Sequence, residues 1–124
     1  MHLELTIEKS LEGQLWGRVL YDDNLIVDSA DSLESLKDQM KALLKDFHDV
    51  EPDQVDFAVT YDLTAFFDQF SFLKVSKIAE KAGLNPSLVR HYSAGTKNPS
   101  TEQVKRIEAA IHSLAEELLH VQLA

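Results

Sequence analysis

Near the start of the chain Leu3, Leu5 and Ile7 alternate with Glu4, Thr6 and Glu8. Successive side chains leave a strand on opposite faces, so this period of two predicts a half-buried strand. Glu12-Gly13 supplies a turn. Gln14–Tyr21 then predicts a second strand through Leu15, Trp16, Val19 and Leu20, with Gly17 marking a bulge or a close backbone approach. Asp22-Asp23-Asn24 makes the next turn, because Asp and Asn bond to their own backbone and tolerate left-handed conformations. Leu25-Ile26-Val27 reads as a short third strand. Asp31 with Glu34 resembles a capping box. Behind it Leu33, Leu36, Met40, Leu43, Leu44 and Phe47 recur at helical spacing with charge on the opposite face, and the helix is expected to end near His48 to Val50, ahead of Pro52. Val55, Phe57, Val59 and Tyr61 alternate with Asp56, Ala58, Thr60 and Asp62 as a fourth strand. The order is β-β-β-α-β, one layer of sheet backed by one helix.

Beyond this point the apolar spacing becomes helical. Thr64 can cap a short helix whose apolar members are Phe66, Phe67 and Phe70, with Phe72-Leu73 bridging onward. Val75, Ile78, Ala79 and Ala82 predict a helix that Gly83 ends as a left-handed cap. Asn85-Pro86 predicts the next start: Asn accepts from a first-turn N–H, and Pro at the first helical position sacrifices no bond. In that helix Leu88, Val89 and Tyr92 face inward, Ser87, Arg90, His91 and Ala94 face outward, and Gly95 closes it. Ser100 with Gln103 forms a capping box, and Val104, Ile107, Ala110 and Ile111 are the core stripe of the last helix.

Two short helices joined by a four-residue turn containing Gly carry the helix-turn-helix signature. The string from Ile78 through Ala79, Gly83, Leu84, Asn85-Pro86, Leu88-Val89 and Gly95 to Pro99-Ser100 resembles the lambda-repressor-like class of DNA-binding modules. Small Ala79 lets the helices cross closely, Gly83 makes the turn, and Leu84 and Val89 pack the pair.

Charge sharpens this picture. The net charge of the 124 residues is −9, an unexpected sign for a chain that contacts DNA. Residues 1–73 hold five bases against sixteen acids, a balance of −11; residues 74–124 hold seven bases and five acids, a balance of +2. All seven of those bases (Lys74, Lys77, Lys81, Arg90, Lys97, Lys105, Arg106) lie within 74–106, against Glu80 and Glu102 alone. An acidic first half and a basic second half point to partners of opposite sign, although an acidic surface also serves solubility. The expected DNA-binding set is Lys74, Lys77, Asn85, Ser87, Arg90, His91, Lys97 and Asn98. Ser87, Arg90 and His91 would read base edges, while lysines and backbone N–H groups would hold phosphates.

The whole arrangement is similar to the HicB-like antitoxins, whose N-terminal domain is a partial RNase H fold. The stretch Asp28-Ser29-Ala30-Asp31-Ser32-Leu33-Glu34-Ser35-Leu36 sits where that family has a short strand followed by a helix start. The resemblance implies an α+β chain with a partial RNase H-like domain at 1–62 and an all-α helix-turn-helix domain at 64–124. It further implies that the acidic domain grips a small basic toxin that cleaves RNA, while the helix-turn-helix represses the pair's own operon on double-stranded DNA. A solitary DNA-binding regulator and a protein–protein adaptor are the alternatives.

Chemistry of other kinds has little footing. There are no cysteines, so disulfides and thiolate metal sites are excluded. His2, His48, His91, His112 and His120 show no metal-ligand spacing, and no phosphate loop, nucleophile motif or cofactor motif is present. The acids that alternate along the strands read as solvated faces, so an active two-metal nuclease is not expected. No apolar run approaches the ~20 residues of a membrane span and no secretory signal is visible, so a cytoplasmic, non-enzymatic protein without a membrane partner is expected. A lone Trp in a strand is more often core than a partner anchor, which places Trp16 in the core. The apolar tail Leu114, Leu118, Leu119, Val121 and Leu123 either packs on the Phe66-Phe67-Phe70 helix or forms a two-fold homodimer contact.

Overall fold

A computed structural model describes residues 1–9 and 12–124. The chain is α+β: β1 (His2–Lys9), β2 (Leu15–Tyr21), β3 (Asn24–Ala30), α1 (Leu33–His48), a 3-10 turn (Pro52–Gln54), β4 (Asp56–Tyr61), then α2 (Leu63–Gln69), α3 (Val75–Ala82), α4 (Pro86–Ala94) and α5 (Thr101–Leu119). It divides into two compact units, Met1–Ala65 and Phe66–Ala124. The division falls inside α2 because Ala65, in its first turn, is fully buried in the first unit's core. Among the described residues no helix is long and apolar enough to cross a membrane.

In the first unit the strand order is β3-β2-β1-β4, with β1–β2 and β2–β3 antiparallel and β4 parallel to β1. The β2–β3 hairpin turns on Asp22 and Asp23, both left-handed at φ 49° and 64°, between the paired Tyr21 and Asn24. Such two-residue turns need positive φ at both positions, which Asp tolerates better than most residues. The long return from β3 to β4 runs through α1, whose Leu36, Met40 and Leu44 are fully buried at four-residue spacing. Leu36 and Met40 close over Leu5, Ile7, Leu15 and Val19 of the sheet.

Several local expectations are corrected. Ser32, not Asp31, caps α1: its extended backbone (φ −140°) lets Oγ accept from Ser35 N–H at 3.1 Å, and Glu34 takes no part. Asp62, not Thr64, caps α2 by accepting from Ala65 N–H at 2.7 Å, because β4 ends at Tyr61 and frees that carboxylate. The third strand runs on to Ala30. Its polar end is held because Gln39 Nε2 donates to Asp28 Oδ2 at 2.9 Å and to the Ser29 carbonyl at 2.8 Å.

Trp16 is also not core; it is 42% exposed. Leu15, Gly17 and Val19 are the inward positions of β2, so Trp16, Arg18 and Leu20 point out. Gly17 sets this phase, since a Cβ there would lie 2.7 Å from Leu36 Cδ2. Phe47, expected in the core stripe, is 75% exposed. At about 100° per residue it lies within roughly 20° of Met40 around the helix axis, so its exposure comes from the helix outrunning its partners. The left-handed Asp49 (φ 57°) instead turns Val50 back against Leu44 and Val55. Beside it Lys45 bonds Glu51 and pairs with Asp49 at 3.6 Å; the Glu51 bond and charge hold its pKa above the usual lysine range against desolvation, and Asp49 adds a lesser push in the same direction.

In the second unit α3 packs on both α4 and α5. Ile78 and Ala79 of α3, Val89 and Tyr92 of α4, and Ile107 and Ala110 of α5 are buried. The expected stops and starts are present: Gly83 (φ 70°) and Gly95 (φ 79°) are left-handed caps, Asn85 Oδ1 accepts from Ser87 N–H at 2.8 Å, and Ser100 and Gln103 form the reciprocal box. Of the apolar tail, Leu118, Leu119, Val121 and Leu123 are exposed.

Candidate nucleic-acid interface

The turn between α3 and α4 comprises Gly83, Leu84 and Asn85, one residue shorter than expected. It is held from outside as well as by its own caps. Arg106 of α5 donates from Nη2 to the Gly83 carbonyl at 3.0 Å, and a Cβ on Gly83 would sit 2.8 Å from that same nitrogen. Gly83 therefore meets two demands at once, a positive φ and room for a guanidinium. The far end of α4 is tied to α5 by Tyr92, whose hydroxyl donates to Gln103 Oε1, while Lys81 ties α3 to α5 by pairing with Glu117 at 2.6 Å. Together these bonds fasten α3 and α4 to α5 and leave the outer side of α4 as a ledge.

On that ledge Ser87, Arg90, His91 and Ala94 are all exposed. Their spacing of three and four residues places them on one side of the helix, opposite Val89 and Tyr92. The Arg90 side chain is exposed, its backbone carbonyl accepting from Ser93 Oγ at 2.9 Å. His91 is less free. Its Nδ1 lies 2.8 Å from Thr96 Oγ1, while the Thr96 N–H and hydroxyl both donate to the His91 carbonyl, so the ring is steered by the residue just past the helix cap. Asn85 uses its side-chain oxygen as the cap, which leaves its amide nitrogen for any outside acceptor. Lys97 and Asn98 follow Gly95 and are exposed.

Lys74 and Lys77 sit at the start of α3, where no side chain caps the helix. The first-turn N–H groups of Val75 and Ser76 therefore lack intrahelical partners, as at any uncapped helix start. Lys77 is partly committed to Glu80 at 3.4 Å, an exposed pair of the kind worth little in water.

The basic run is thus two sets of residues. Lys81 and Arg106 brace the fold, whereas among the described residues no ion pair engages Lys74, Arg90, Lys97 or Lys105. Sequence reasoning missed the bracing roles of Lys81, Thr96, Gln103 and Arg106. Only Gln103 carried a signal, as the capping-box residue. Among the described residues no cluster of three or more His, Cys, Asp or Glu side chains is placed to hold a metal ion. Protein-family models, curated proteins and solved structures offer no match to the chain.

Proposed function

We propose that the chain is an antitoxin-type transcriptional regulator: the second unit is a helix-turn-helix that binds operator DNA, and the first, a partial RNase H-like unit, holds a small basic toxin that cleaves RNA. The observation that carries the DNA half is the braced α4, which presents Ser87, Arg90 and His91 on one exposed side with uncommitted Lys74, Lys97 and Lys105 in the same unit. A capped helix with polar outward side chains suits the major groove, and cations in the same unit supply the phosphate term. The βββαβ order of the first unit and its acidic balance support the toxin-binding half.

Selection from a pool of random-sequence duplexes with the full chain tests the DNA half. A preferred sequence is expected to emerge, with affinity falling steeply as salt rises from about 50 to 200 mM. Lys97→Ala should weaken preferred and scrambled duplexes alike and lower the salt slope by about one unit. Duplexes that bind no better than polyanionic heparin, with no enriched sequence, would reduce the second unit to a structural module.

The same reading calls for a homodimer, since two-fold operators are read by two-fold proteins. Leu118 and Leu119 at the end of α5 are the exposed apolar residues assigned to it. The double change Leu118→Ser/Leu119→Ser should therefore give a monomer in sedimentation with weakened DNA binding. A variant that still sediments as a dimer places the contact elsewhere.

A further inference from the structure

We propose that the outer face of the β2–β3 hairpin is a docking surface for a segment of a basic protein that also carries apolar side chains. This deepens the toxin-binding role of the first unit and rests on it. Sheets with one face on the core normally show polar residues on the other. Here that outer face is divided. Its β1–β4 side is polar, with Thr60 Oγ1 bonded to Glu4 and Thr6 at 3.2 Å each. Its β2–β3 side is apolar around the single charge of Arg18: Leu20 stands opposite Leu25, Val27 lies opposite Arg18 in the strand register, and the apolar side chains are exposed from 42% for Trp16 to 64% for Leu20. Over β2, toward the end of β1, lies an open depression of about 620 Å³, lined by the apolar Trp16, Leu25 and Val27 and by Glu8, Glu12, Lys9 and Arg18. An exposed cluster of Trp16, Leu20, Leu25 and Val27 on the outer face of a sheet is a feature that solubility alone does not explain.

Charge selects the occupant. Residues 1–65 carry five bases and fifteen acids, a balance of −10, so a second copy would bring like charge against like. Extension of the sheet by another β3 is also obstructed. In a two-residue hairpin Leu25, Val27 and Ser29 direct their backbone groups away from β2. Ser29 is already closed on that edge: its N–H donates to Asp28 Oδ1 at 2.8 Å and its carbonyl accepts from Gln39 at 2.8 Å. A basic segment meets neither obstacle. Opposite charge steers it in, Trp16 and its apolar neighbours hold it, and Glu8 can exchange its exposed 3.0 Å pairing with Arg18 for a cation of the partner.

Trp16 is the only tryptophan of the chain, so its emission reads this surface directly in the intact protein. The probe is a synthetic peptide alternating lysine and leucine, compared with oligolysine of equal charge and with an alternating glutamate–leucine peptide. The lysine–leucine peptide should shift Trp16 emission to the blue and shield it from acrylamide. In the variant Leu20→Ser/Leu25→Ser, which alters exposed positions only, that binding should weaken by about tenfold while circular dichroism stays unchanged. The proposal is overturned if the lysine–leucine peptide leaves Trp16 unmoved, if oligolysine shields it as well, or if the variant binds undiminished. Shielding that rises with protein concentration alone overturns it in favour of a second copy. A native basic protein that binds the full chain with Trp16 emission unchanged overturns this surface while leaving the partner-binding role of the first unit standing.

Discussion

Arg90→Ala is expected to cost roughly 1–3 kcal/mol on the selected duplex and to flatten preference among sequences, with little change on scrambled DNA. Arg90 is exposed on α4, with no ion pair engaging it among the described residues, and a guanidinium donates two parallel bonds to the O6 and N7 of one guanine. Ser87 and His91 beside it offer fewer bonds, and the His91 ring is steered by Thr96. The comparison is informative only if the helix survives, so Val89 and Tyr92, both buried, are left intact. Titration of selected and scrambled duplexes at two salt concentrations separates reading from holding. Equal losses on both duplexes would assign Arg90 to phosphate and move the reading face to another part of α4.

The largest effect on stability is expected at Leu36. This residue is fully buried where α1 meets the sheet, and Leu36→Ala should destabilise the first unit by about 2–5 kcal/mol through lost transfer energy and the cavity left behind. Gly17→Ala should also destabilise, by about 1–3 kcal/mol, because its Cβ would press on Leu36 Cδ2 at 2.7 Å and Leu5 Cδ1 at 3.0 Å. Together the two changes should cost less than their sum, by about 1 kcal/mol, since removing the Leu36 branch opens the space the new methyl needs. Trp16 lies in the neighbouring position of β2, so urea unfolding followed by its fluorescence isolates the first unit's transition from that of the second. Strict additivity would mean that Gly17 is required for its backbone alone and not for the close approach of α1.

What could be read along the chain was whatever depends on a few neighbouring residues. Asn85 with Pro86, Gly83, Gly95, and Ser100 with Gln103 mark helix ends through hydrogen bonds spanning at most four positions, and each behaves as its residue type demands. The strand alternation of β1 and β4 and the inward face of α4 follow for the same reason, because the period of a backbone is local. Caps chosen between adjacent candidates were less legible: Ser32 against Asp31, and Asp62 against Thr64, differ by a shift of one or two residues in where the preceding strand lets go.

Tertiary structure decided everything that depends on which partner arrives from a distance. Trp16 is as apolar as any core residue, but α1 packs so closely on Gly17 that the strand's phase puts the ring outside. Phe47 has the right spacing but stays exposed, while Val50 reaches the core because Asp49 reverses the chain. Within the basic run, the bond from Arg106 to the Gly83 carbonyl spans 23 positions and that from Lys81 to Glu117 spans 36, so composition alone made brace and candidate contact look alike. Local sequence thus determined where elements begin, end and alternate, since backbone hydrogen bonding and side-chain period are short-range. Packing determined which side chains are core, which are braces and which remain outside, since burial is a property of the space between elements.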